Sequence, residues 1–247
     1  MIGVFDSGSG GLTVLTALRK KMPRADFAYF GDIKNAPYGE RSPKELAELT
    51  AAGMRVLQAM GATELVSACN TASASVLSGL VGHACVLEMT RPLARVMRKF
   101  AGKRTLLLAT SATVASRIYH DALEVIVPLD AVAIPGLARA VEFGESAEEI
   151  ESLVSTALET VKGPCDVIVL GCTHYPLARD IIERIAREQW PNVEIIDPAD
   201  AVAEVAAGRF NASGTGRLVF KLSKDSAHFR TRISELFPNS GATIDAS

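Results

Sequence analysis

Short apolar runs, each ending at a small or polar turn and followed by residues at helical spacing, recur along the whole chain. Ile2-Gly3-Val4-Phe5 stops at Asp6-Ser7-Gly8-Ser9-Gly10-Gly11, after which Leu12, Leu15 and Leu18 mark one helix face. Phe27 to Phe30 predicts a second strand ending at Gly31-Asp32. The loop Asn35-Ala36-Pro37-Tyr38-Gly39 follows, and Pro43 opens a helix to about Met60. Gly61 ends that helix, Leu65 to Ala68 predicts a third strand, and Cys69-Asn70-Thr71-Ala72-Ser73 is the turn into the next helix. Residues 84–87 predict a further strand before Glu88, and Pro92 opens a helix towards Phe100.

A second series begins after the break at Ala101-Gly102-Lys103. Thr105 to Ala109 predicts a strand, Thr110-Ser111-Ala112-Thr113 a polar turn, and a single helix runs from there to about Leu123. Apolar runs at 125–129 and 132–134 are interrupted by Asp130. Ser146 with Glu149 three residues on predicts a capping box for a helix reaching about Val161. Residues 166–170 feed Cys172, Pro176 opens another helix, 193–196 predict a strand ending at Asp197-Pro198, and a helix from about Ala199 stops at Gly208. A Ser/Gly/Asn loop precedes a strand at 217–222 and a helix at 226–237.

Strands alternating with helices imply an α/β fold with mostly parallel sheets flanked by helices. The break near Gly102 and the loop near Asn211 divide the chain into a first α/β domain, residues 1–95 with 208–247, and an inserted second one, residues 96–207. The two cysteine turns then fall one in each domain, facing a shared cleft.

Composition narrows the function classes. The 247 residues suffice for one large or two small cores. Hydrophobic residues at 48% and charged residues at 22% exclude a disordered chain, and 26 basic against 28 acidic residues supply no field to recruit nucleic acid or an anionic membrane. No apolar stretch approaches the roughly 18 uncharged residues of a membrane span, and no secretion signal opens the chain, so a cytoplasmic location is expected. In that reducing compartment Cys69, Cys85, Cys165 and Cys172 are expected as free thiols. They form no CxxC pair, and His83, His120, His174 and His228 show no ligand spacing, so no metal site is expected.

Candidate chemistry concentrates at Cys69 and Cys172, because a thiol at a strand's carboxyl end lies where open α/β sheets bind ligands. Two such thiols on either side of a small substrate can take a proton from one face of a carbon and return one to the other. Cys85 and Cys165 lie inside apolar runs without a polar turn after them and are expected as small buried hydrophobes. His228 is expected at the surface or in packing. The glycine-rich turn after Phe5 offers successive backbone N–H groups as an anion nest. It lacks the GxGxxG order and a Lys-Ser/Thr ending, so a carboxylate rather than a phosphate is the expected ligand. Taken alone, Tyr38 reads as a packing residue and Thr110 and Thr113 as helix caps.

In this order the motifs are similar to those of the glutamate racemases, in the cofactor-independent aspartate/glutamate racemase superfamily. The likeness rests on Phe5-Asp6-Ser7-Gly8-Ser9-Gly10-Gly11-Leu12, Pro37-Tyr38-Gly39-Glu40-Arg41-Ser42-Pro43, Ala68-Cys69-Asn70-Thr71-Ala72-Ser73 and Gly171-Cys172-Thr173-His174-Tyr175-Pro176-Leu177, with Ala109 to Val114 as a fifth, and extends from Ile2 to about Val205. The resemblance implies two similar α/β domains with the active site between them, and Cys69 and Cys172 as the acid/base thiols. It implies Asp6 and His174 as their assistants and Glu142 as the acid orienting His174. Asp6, Ser7, Tyr38, Gly39, Asn70, Thr71, Thr110, Thr113, Thr173 and His174 are then the substrate-binding set. It further implies glutamate as the small-molecule partner, D-glutamate for peptidoglycan as the product's use, no cofactor, and leaves a homodimer open. After Glu88 the family continues through Pro-Gly-Ala, whereas here Met89-Thr90-Arg91-Pro92 follows, and Arg139 is added beyond Gly136.

An ordinary thiol has a pKa of about 8.5, and a helix N-terminus or a cationic His174 would lower it, whereas Asp6 can act only as proton acceptor or orienter. Donors at the helix starts and the glycine nest are expected to meet the substrate carboxylates, with Arg91 and Arg139 pointing to solvent. A related racemase with another substrate, or a non-catalytic dicarboxylate-binding protein on the same scaffold, are the competing readings.

Overall fold

Every residue of the first strand, β1 (Ile2–Asp6), is buried, as a strand covered on both faces must be. It leads through the glycine-rich turn into α1 (Leu12–Lys21), then β2 (Phe27–Gly31), α2 (Pro43–Ala59), β3 (Glu64–Ser67), α3 (Asn70–Leu77), β4 (Val86–Leu87) and α4 (Thr90–Met97). The second series comprises β5 (Thr105–Ala109), α5 (Ser111–Ser116), α6 (Ile118–Leu123), β6 (Leu129–Ala133), α7 (Leu137–Phe143), α8 (Ala147–Glu159), β7 (Val167–Gly171), α9 (Arg179–Gln189) and β8 (Glu194–Ile196). The chain closes with α10 (Pro198–Ala207), β9 (Leu218–Leu222), α11 (Ala227–Leu236) and β10 (Thr243–Asp245). This computed structural model describes residues 1–79, 86–238 and 240–246; Cys85, His83 and the start of the strand expected at 84–87 lie outside them.

All strand pairings are parallel. One sheet has the order β10-β9-β2-β1-β3-β4 and the other β6-β5-β7-β8. The expected α/β class with parallel sheets flanked by helices is therefore the observed one. In the first sheet Phe5 pairs with Ser67, so Asp6 and Cys69 emerge at the carboxyl ends of neighbouring strands. In the second, Ala109 pairs with Gly171, and Thr110 and Cys172 emerge side by side in the same way.

Helix packing departs from the expected division of the chain. Ala199, Val202, Ala203 and Ala206 of α10, at helical spacing, are buried in the same core as Leu12, Leu15 and Leu18 of α1 and the strands of the first sheet. Residues 198–207 thus pack with the first sheet, although the boundary was expected at 208. Leu93 of α4 lies before the expected start of the second domain, yet it shares a core with Leu107, Tyr119 and Val169 of the second sheet. Small residues on α10 permit the close helix approach, a property of the packed pair that a single helix does not announce.

Local details differ as well. The helix expected from Thr110 to Leu123 is split by Arg117, whose φ of 58° is left-handed. The capping box forms in full at Ser42 and Glu45, where it was not expected. At Ser146 the structure shows half of it, Ser146 Oγ accepting the Glu149 N–H at 3.2 Å. Asp130 lies within β6, and a short edge strand, β10, follows the last expected helix.

Candidate active site

The two thiols are supported differently. Cys69 caps α3, its sulfur accepting the Ala72 N–H at 3.4 Å while the thiol faces Ser7 Oγ at 3.6 Å. Cys172 follows β7 and precedes a short 3₁₀ turn, Tyr175–Ala178, rather than an α-helix; its sulfur lies 3.8 Å from His174 Nδ1. Burial, reinforced by the Asp6 charge, pushes the Cys69 thiol up to about 12. The expected lowering by the helix N-terminus is present as the Ala72 contact but is outweighed, because full burial penalises the thiolate more than one N–H donor rewards it.

His174 is the other half of that asymmetry. Its Nε2 lies 2.5 Å from Glu142 Oε2, and both side chains are buried. Burial alone would lower the imidazole. Hydrogen bonds to Cys172 and Glu142 and the Glu142 charge outweigh it and raise the ring to about 10, so it is a cation at neutral pH. Glu142, despite burial, is held below the usual carboxylate range by the same ion pair and by Ser9. Ser9 donates to Glu142 Oε2 through its N–H at 2.9 Å and its hydroxyl at 2.8 Å. A Cβ on Gly8 would stand 2.8 Å from that oxygen, which is why glycine is required there.

The glycine-rich turn is thus an anion nest whose occupants are the protein's own carboxylates. Gly8 N–H donates to Asp6 Oδ1 at 2.8 Å, Gly11 N–H also supports Asp6, and Ser9 N–H is taken by Glu142. These donors are not left over for a substrate carboxylate, as had been expected. Asp6 is fully buried and lies behind the cleft, with Thr173 Oγ1 donating to its Oδ2 at 3.1 Å. Burial raises Asp6 to about 6. It holds the floor of the site and braces Thr173, rather than lining the space a substrate would fill.

The cleft, closed down to about the room for a water molecule, is lined by Ser7, Tyr38, Gly39, Cys69, Asn70 and Thr71 from the first sheet's side. Thr110, Glu142, Cys172, Thr173 and His174 line it from the second. Eleven of the expected site residues are brought together; Asp6 and Thr113 stand behind them. Thr71, Thr110 and Thr113 hydroxyls form a triangle with sides of 3.0, 3.1 and 3.0 Å. Thr110 Oγ1 also accepts the Thr113 N–H at 3.2 Å, so the capping role and a cleft role coexist. Gly39 carbonyl accepts the Ala112 N–H at 2.9 Å, and a Cβ on Gly39 would sit 2.9 Å from Thr110 Cβ. The Tyr38 ring packs on Phe5 and its hydroxyl donates to Asp32 Oδ2 at 2.7 Å, so this phenol is committed to a structural bond as well as lining the cleft.

Asn70 carries the clearest open donor. Its Oδ1 accepts from the Tyr119 hydroxyl, which orients the amide, and its buried Nδ2 has no hydrogen-bond partner among the described residues. An unpaired buried donor costs about 1–3 kcal/mol unless a ligand or water meets it. Phe143, half exposed, and Ala138 complete the wall on the α7 side and were not anticipated. Arg91 and Arg139 are both exposed; Arg139 lines an adjoining recess that shares Gly39 and Thr110 with the cleft. Cys165 is buried outside the site, as expected, with its thiol donating to the Val167 carbonyl at 3.3 Å. Among the described residues no group of three or more His, Cys, Asp and Glu is placed to hold a metal ion.

The Asp/Glu/Hydantoin racemase family profile matches residues 13–206. The chain belongs to this family. It is 34% identical over 259 residues to a glutamate racemase of Roseobacter denitrificans, covering 95% of each chain. It is 36% identical over 228 residues to one of a Ruegeria species, covering 83% of each. Its fold superposes on glutamate racemase isoform RacE1 from Bacillus anthracis with a TM-score of 0.88 at 28% identity, over 100% of this chain and 97% of that one. The Thermus thermophilus glutamate racemase in complex with β-chloro-D-alanine gives 0.81 at 31% identity, over 100% and 96%.

Proposed function

We propose that this racemase-family protein interconverts L- and D-glutamate with Cys69 and Cys172 as its two proton carriers. The observation that supports it is the meeting of two thiols, one from the end of each sheet, in a cleft lined by hydroxyl and amide donors. In one direction a Cys172 thiolate takes the α-proton from one face while the Cys69 thiol gives its proton to the other. The reverse direction exchanges the roles, so one proton is taken and one given in each turnover. His174, charged and held by Glu142, stands where it can pair with a Cys172 thiolate. Cys69, which keeps its proton at neutral pH, is suited to the resting acid.

Asn70 Nδ2 offers a donor to the substrate carboxylates, whose developing carbanion needs such stabilisation, and the Thr71 hydroxyl can turn from its threonine neighbours to offer another. The residues themselves supply the base, the acid and the donors, so we assign no cofactor to the reaction. The named relatives, glutamate racemases, support glutamate as substrate, and the resemblance implies a supply of D-glutamate for peptidoglycan. Among the described residues no helix is long and apolar enough to cross a membrane.

The stretch after Glu88, where the sequence departs from the family pattern, is the feature that favours the competing non-catalytic reading. Its Glu88 carboxylate accepts the Thr90 and Arg91 N–H groups at 2.6 and 2.9 Å, an ordinary helix start that leaves the cleft intact. The experiment is incubation of L-glutamate in deuterium oxide with a chelator and without pyridoxal phosphate. D-glutamate carrying deuterium at the α-carbon is the expected product. Its absence for glutamate, with exchange of aspartate or another amino acid, would move the substrate; absence for all of them would leave a binding protein.

A further inference from the structure

The Glu142 carboxylate that pairs with His174 is gripped from the far side by the C-terminal helix. Arg232 of α11 donates to Ser9 Oγ and to the Val141 carbonyl, and its guanidinium lies 3.8 Å from Glu142 Oε2 with its side chain 11% exposed. Ser9 in turn donates to Glu142, which holds His174, which faces Cys172. We propose that Arg232 is a positioning residue for the Cys172 half of the site, acting through Ser9 and Glu142 on His174. This rests on the two-thiol reading of the cleft.

Three observations carry it. The guanidinium fork bridges Ser9, on the first sheet's side, to Val141, on the second's, so one planar group fixes two walls of the site. The ion pair is largely buried, so Glu142 feels the loss of the Arg232 cation with little screening and keeps His174 as its charged partner. On the Cys69 side the sulfur's named partners are Ser7 and Ala72, neither of them charged. Removing Arg232 takes a cation away from Glu142 and frees Ser9, so Glu142 and the ring it holds lose their fixed placement against Cys172, while Cys69 keeps its own contacts.

The test uses the full chain with Arg232→Met, Arg232→Lys and Ser9→Ala. Iodoacetamide labelling of Cys172 and Cys69 is read separately by peptide mass at about pH 7, beside kcat, KM and the thermal midpoint. Arg232→Met should slow Cys172 labelling about tenfold relative to Cys69, because the ring that faces the Cys172 sulfur loses its fixed placement. It should lower kcat with KM within a few-fold, and Arg232→Lys, which keeps the charge without the fork, should fall between parent and Met. Ser9→Ala should repeat the selective effect even if Arg232→Met fails to fold. Equal slowing of both thiols with a lowered midpoint, or no change at Cys172, would overturn the proposal. Since labelling needs no turnover, a parent that racemises nothing would defeat the reading of the reaction and leave the role of Arg232 decided by the labelling.

Discussion

His174 meets Glu142 through Nε2 at 2.5 Å and turns Nδ1 to the Cys172 sulfur at 3.8 Å, so one buried ring joins a carboxylate to a thiol. Burial lowers the ring's affinity for its proton, and the bonds to Cys172 and Glu142 more than restore it, moving the ring from 6.5 to about 10. A folded value above the unfolded one contributes stability that is full below about 6.5 and is lost as pH rises through about 10. The stability advantage of the parent over His174→Asn, from urea unfolding at about pH 6, 8 and 10, should therefore shrink across that series. An advantage that is constant with pH would show an unshifted ring, and one that grows from pH 6 to 8 a ring kept neutral in the fold.

Glu142→Gln keeps the shape of the side chain but removes the charge opposite His174. We expect kcat to fall about tenfold to a hundredfold with KM nearly unchanged, as for loss of a charge-assisted contact of about 1.5–3 kcal/mol. Steady-state kinetics with glutamate in both directions check this.

Each single-thiol variant removes the proton carrier on one face. Cys69→Ser and Cys172→Ser should each lose racemisation by about two to four orders of magnitude. Circular dichroism of glutamate solutions measures it, and near-normal turnover by either variant would take that thiol out of the reaction.

Gly10 lies against the second half of the site: a Cβ there would stand 2.6 Å from Thr173 Oγ1 and 2.7 Å from His174 Nδ1. Gly10→Ala should cost about 1–3 kcal/mol through overpacking and also lower kcat. Gly208→Ala is the contrasting case, with right-handed backbone and nothing nearer than 3.9 Å. It should leave kcat alone and raise stability by about 0.4–1 kcal/mol. Thermal unfolding with parallel kinetics distinguishes the two.

Arg91 and Arg139 are exposed, Arg139 in the recess that adjoins the cleft and Arg91 in a separate groove that shares no residue with it. Arg91→Ala and Arg139→Ala should keep KM for glutamate within a few-fold of the parent. A rise of about a hundredfold, the loss of a contact of about 3 kcal/mol, would mean that one of them grips the substrate.

What the residues announce by themselves is local. An apolar run buried on both faces must be a strand, and a cysteine placed where the run stops must emerge at its carboxyl end. Cys69, Thr110 and Cys172 were therefore placed before any folding was known. The glycine nest was also legible, but its occupants were not, because Ser9 and Glu142 are 133 residues apart and any carboxylate satisfies the same N–H groups. Asp6 takes the Gly8 N–H from only two residues away, a local turn, whereas tertiary structure alone brought Glu142 to Ser9, leaving Asn70 Nδ2 as an open donor. It also decided that α10 packs with α1, since helical spacing shows that a face is buried without saying against what. Arg232 reaches Ser9 across 223 residues from an unremarkable charged helix. A long-range ion pair depends on where two backbones come to rest, and neither neighbourhood in the sequence carries that information.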